Sequence, residues 1–251
     1  MASISQDVAV RPISRVSGRG GLIDRYFYFT MSFVIAGVVV YGFSRTVSQN
    51  LFHPAIPRPI LLWVHGAAFS GWVAFYILQS ALVRTHNVRF HRSLGWFGVA
   101  LGALMVPLGF TISTIMARFD IHQLHGPVVA LEAFLIAPYY DMIMMTVILS
   151  LAILWRKKPD LHRRLLFILT CHLTDAAWGR FPGYAMQNVY FYAAADGLML
   201  FGVVRDLIVD RRVHKVYLYT LPALAVCQFF VMYTDLHALP WWMGIAHRII
   251  G

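Results

Sequence analysis

Long apolar runs govern what this chain can fold into. Seven stretches, roughly Tyr26–Phe43, Ile60–Val83, Ser93–Ala117, Pro127–Trp155, Leu165–Phe181, Tyr184–Val204 and Val216–Thr234, reach the length that crosses a bilayer. The hydrocarbon core needs about 17–25 consecutive apolar residues in a helix. Inside lipid every backbone N–H and C=O must be bonded within the segment, so apolar runs of this length become helices. The expected fold is therefore all-α: a polytopic bundle of seven transmembrane helices. Its composition agrees, with 59% hydrophobic and 13% charged residues over 251 positions. Average soluble domains hold about 45–50% and about 25%.

The division between the fifth and sixth runs rests on Arg180, Pro182 and Gly183, because Pro and Gly end helices and Arg is costly at depth. Counting basic residues tests it. With seven spans and the N-terminus inside, sixteen of the 21 Lys and Arg fall on the cytoplasmic side and five outside. That asymmetry satisfies the positive-inside rule. Three domains follow: residues 1–25 as a cytoplasmic N-terminal tail, 26–235 as the seven-helix transmembrane domain, and 236–251 as an amphipathic interfacial segment on the outer face. The tail lacks the apolar core and cleavage site of a signal peptide. The expected location is a bacterial inner (plasma) membrane, with the lipid bilayer as the first partner.

The net charge of +10 reads as topology signalling and lipid attraction, with no nucleic-acid partner implied. Cys171 and Cys227 lie inside apolar runs, which excludes a disulfide scaffold. No Walker loop, GxGxxG, HExxH or GxSxG is present. A retinal protein would need a buried late lysine, and Lys215 stands at a helix end. Trp63, Trp72, Trp96 and Trp155 read as membrane-belt residues. The segments His91-Arg92-Ser93-Leu94 and His162-Arg163-Arg164-Leu165 open the third and fifth spans alike, which suggests two parallel copies of a helical hairpin.

Ionisable side chains within spans demand a partner or a function. They are His65 in the second span, Glu132 and Asp141 in the fourth, His172 and Asp175 in the fifth, and Asp196 in the sixth. At about 1.5 Å per residue, His65 and Glu132 lie roughly 8 Å below the outer boundary, Asp175 roughly 9 Å and His172 roughly 13 Å. Asp141 and Asp196 come nearer the midplane. His172 and Asp175, spaced i, i+3, share a helix face. His65, Glu132, His172 and Asp175 would thus form a metal site suited to iron, zinc or manganese. Alternatively His65 and His172 would be axial ligands of haem b, with Arg180 near the propionates.

The stretch His65-Gly66-x5-Trp72-x6-Gln79-x4-Arg84, with His91-Arg92-Ser93-Leu94-Gly95-Trp96, resembles a broad group of uncharacterised bacterial multi-span inner-membrane proteins. The Pro159–Leu165 run and Arg180 extend the likeness. More distantly, histidines on a helical core are similar to the cytochrome b561 arrangement, which implies haem b and electron transfer. That family offers two histidine pairs, and this chain offers one.

The leading expectation is a membrane oxidoreductase holding a metal ion or haem b between the second, fourth and fifth helices. His65 and His172 would bind the cofactor, and Glu132, Asp175 and Arg180 would serve catalysis on a quinone or another lipid-soluble molecule. Three alternatives stand beside it. One is a proton-coupled transporter or small-molecule-binding protein using the same polar layer. Another is a non-catalytic subunit of a larger membrane complex or homo-oligomer. The last is a cofactor-free isomerase or cyclase working through Glu132 and Asp175.

Overall fold

The structure, a computed structural model, describes residues 19–182 and 190–251. Most of the tail expected at 1–25, and the expected start of the sixth run at Tyr184, lie outside the described residues. The described chain is all-helical, with no strand. Five of its helical segments are long and apolar enough to cross a membrane: Gly21–Ser44, Leu61–Arg84, Val88–His122, Val128–Leu154 and Lys215–Leu236.

The helices are α1 (Arg19–Ser44), α2 (Leu61–Arg84), α3 (Val88–His122), α4 (Val128–Phe134), α5 (Ile136–Leu154), α6 (Pro159–His172), α7 (Asp175–Trp178), α8 (Tyr190–Val209), α9 (Lys215–Leu236) and α10 (Pro240–Ile250). Only 11–44% of the apolar windows in the five long segments is buried inside the bundle. Phe33, Val40, Trp96, Phe97, Phe201 and Phe229 all face outward. Such a surface is stable only against hydrocarbon, so this is a membrane-embedded, multi-pass protein.

At the centre stands α6. Leu165 and every residue from Phe167 to His172 are buried, as expected of a helix surrounded on all sides. It packs between α5 and α8, with α3 behind α5 and α1 reaching α2, α7 and α8. Trp72 is buried too and donates its indole N–H to Thr170 Oγ1 at 3.3 Å. Its expected place in the belt is therefore corrected: a hydrogen-bond acceptor inside the bundle outweighs the interfacial preference.

Two of the apolar runs are broken. The fourth apolar run is interrupted at Leu135, where Pro138 removes a backbone donor at the start of α5. The indole N–H of Trp242, from α10, bonds the carbonyls of Glu132 and Ala133 beside this break at 3.0 and 3.1 Å. The fifth run ends its α-helix at His172, and Asp175 opens the short α7. His172 and Asp175 therefore do not share one unbroken helix face.

The paired sequence motifs have a structural counterpart. His91 and His162 are each the fourth residue of their helix, α3 and α6, and their rings meet with centroids 6.4 Å apart.

Candidate functional site

The break between α6 and α7 positions the main polar cluster. Its first member, His172, ends the central helix with no exposed surface. Nε2 lies 3.3 Å from Asp141 Oδ1 on α5, off the line of a good hydrogen bond, and neither ring nitrogen completes one. The ring sits parallel to that of Tyr192 on α8, centroids 6.1 Å apart, and edge-on to Tyr140 at 5.7 Å.

Asp141, in turn, accepts from the Tyr192 hydroxyl at 2.9 Å. Its carboxyl is also within hydrogen-bonding reach of Asp175, which opens α7 and accepts from Ala176 N at 2.6 Å. Asp196, on α8, faces the same centre and accepts from Gln228 Nε2 of α9 at 3.2 Å. Three chain segments thus bring an imidazole, two carboxyls and a phenol together in the core, with a third carboxyl on its flank. A buried imidazole with uncommitted nitrogens can take or give a proton without first breaking a bond.

The other expected site residues make their direct contacts elsewhere, although Arg180 lies within electrostatic range of both Asp175 and His65. Glu132 is buried in α4 and receives His247 Nδ1 of α10 at 2.9 Å. His65 lies against Phe69 of its own helix, ring centroids 4.2 Å apart. Arg180 covers the Phe43 ring at 4.3 Å and donates to Thr46 Oγ1 at 3.2 Å and to the Ala176 carbonyl. Of the expected set, His172 and Asp175 come together. No hydrogen bond, ion pair or ring contact joins His65 or Glu132 to them. Among the described residues, no three His, Cys, Asp or Glu side chains are grouped to hold a metal ion.

A second polar centre occupies the opposite end of the bundle. Arg164 grips Asp206 through Nε and Nη2, at 2.9 and 2.7 Å, and reaches Asp210 at 2.9 Å. Arg205 bonds Asp206 at 2.6 Å, Asp210 at 2.7 Å, and Asp24. By the count of basic residues alone, Arg164 and Arg205 read as topology signals. The acids interleaved with them, Asp206 and Asp210, are the signal that marks an ion network instead.

No family model, curated protein or solved structure matches this chain.

Proposed function

We propose that this protein is a seven-span, proton-coupled membrane transporter of a small molecule, with the Asp141–Asp175–His172 cluster as its proton-binding centre. The observation that carries the reading is the convergence of these three side chains at the α6–α7 break, with His172 uncommitted. Broken helices with polar side chains at the break are how transporters place sites inside a bilayer. In this reading α4–α5, α6–α7 and α8 each complete a crossing. The end bearing Arg164 and Arg205 faces the cytoplasm, following the distribution of basic residues, and α10 lies on the outer surface of a bacterial inner membrane.

The chemistry is a proton exchange. Asp141 and Asp175 share one proton, Tyr192 orients Asp141 by its hydrogen bond, and His172 accepts or returns the proton as the environment changes. Protein reconstituted in liposomes with a trapped pH-sensitive dye tests this. Wild type should dissipate an imposed pH gradient in the presence of substrate. Asp141→Asn and Asp175→Asn should each slow that flux by about tenfold or more, the usual scale for losing a proton-transfer group. Flux unchanged in both variants would overturn the reading.

A second reading keeps the oxidoreductase, favoured by the donor chemistry of one imidazole beside two carboxylates, which suits iron, zinc or manganese. Among the described residues no three such donors are grouped to hold one ion, so this reading stands second. Elemental analysis with oxidised and reduced absorbance spectra decides it: stoichiometric metal, lost in His172→Ala, would replace the proton reading.

A further inference from the structure

We infer that the groove between α8 and α9 binds a lipophilic organic cation. Tyr192 and Asp196 of α8 and Gln228, Phe229, Met232 and Tyr233 of α9 line it. It opens on the outward side, where Phe229 is 66% and Tyr233 44% exposed. In a membrane-embedded bundle that side meets lipid, so a ligand arriving there has an apolar body.

The wall carries one carboxylate. Buried Gln228 donates to Asp196 Oδ1 at 3.2 Å, the His172 imidazole lies within electrostatic range, and no Lys or Arg pairs with Asp196 among the described residues. A carboxylate in an apolar groove calls for a positive partner. Aromatic rings extend from it along α9: Phe229 and Tyr233 stack at 6.1 Å and 25°, and Tyr233 stacks on His237 at 4.1 Å. Ring faces attract cations. An anionic group at the head of an aromatic ladder complements a hydrophobic cation and repels a hydrophobic anion.

Tyr192 links this groove to the proton centre, since it lines the groove and its hydroxyl bonds Asp141. The inference thus names the substrate class for the transporter reading. It rests on that reading for transport and not for binding.

The experiment uses the full chain in nanodiscs of zwitterionic lipid, with tetraphenylphosphonium as probe and flow dialysis as readout. The expected result is saturable binding above that of empty nanodiscs, weakened at least about tenfold in Asp196→Asn, as for loss of a charged hydrogen-bonding group. Asp196→Glu should retain binding, which separates the charge from folding, and Phe229→Leu should weaken it severalfold. Tetraphenylborate and neutral triphenylphosphine oxide should show no saturable binding. Absence of saturable phosphonium binding, equal binding in Asp196→Asn, or equal binding of the neutral compound would each overturn the inference. Proton flux in liposomes distinguishes the two failures: phosphonium binding without flux sinks the transporter reading, and flux without phosphonium binding sinks the inference.

Discussion

Arg164 of α6 and Asp206 of α8 form a two-pronged ion pair in which the arginine is 2% exposed and the aspartate not at all. Removing Arg164 strips Asp206 of two hydrogen bonds and leaves Arg205 as its remaining cation, so the cost approaches the lower end of the about 3–5 kcal/mol of a fully broken buried pair. Arg164→Met is therefore expected to lower the unfolding midpoint in detergent sharply. The double variant Arg164→Met/Asp206→Leu should recover a large part of that loss. Equal midpoints for the single and double variants would show that the pair is not the cause.

Helix α1 offers a matched pair of glycines. A Cβ on Gly42 would lie 2.4 Å from the backbone oxygen of Ala177, whereas one on Gly37 would meet nothing within 4 Å. Backbone cannot swing aside as a side chain can, so Gly42→Ala should destabilise by about 1–3 kcal/mol. Gly37→Ala should stabilise by about 0.5–1 kcal/mol through helix propensity. Thermal unfolding of both variants measures the contrast.

His214 precedes α9 and caps it, with Nδ1 accepting the N–H of Val216 at 3.2 Å. Burial lowers its pKa from the ordinary 6.5, and the Arg164 guanidinium adds to the effect. A lowered histidine pKa means that the unfolded chain binds the proton more readily. This contribution to stability is complete above pH 6.5 and falls away as pH drops through the interval below it. His214→Asn keeps a capping acceptor and removes the titration. It should flatten the stability profile in that interval, as read from unfolding midpoints between neutral and mildly acidic pH.

Trp242 holds α10 to the break between α4 and α5 through two carbonyls, and His247 adds a bond to Glu132. Trp242→Phe keeps the ring packing and takes the indole donor from both carbonyls, at about 1 kcal/mol, the net worth of a hydrogen bond. Hydrogen–deuterium exchange should then quicken across α10 while α6 stays protected. Unchanged exchange in α10 would remove the indole from this role.

Much of the fold was legible because apolar length and charge punctuation mark helices directly: each apolar run has its counterpart among α1 to α9. The helix breaks were legible only in part. Pro138 signals the one at Leu135, but nothing as strong marks Leu173 and Thr174. The reading of the site suffered from this, since counting about 1.5 Å per residue assumes an unbroken helix. That count set Glu132 beside His172 and left Asp141 deeper, whereas the folded chain pairs Glu132 with His247 and brings Asp141 to His172. The ion network escaped because a rule that weighs only Lys and Arg cannot see the acids that pair with them.

The indole capping of the α4–α5 break orders the assembly of the molecule. Helix α10 follows all the others in the chain, so synthesis delivers Trp242 after the fourth apolar run has been made. Until then the carbonyls of Glu132 and Ala133 lack the indole donor that they share in the finished protein. The α4–α5 junction thus gains this donor only after α10 has been made, so its last polar contacts are formed late.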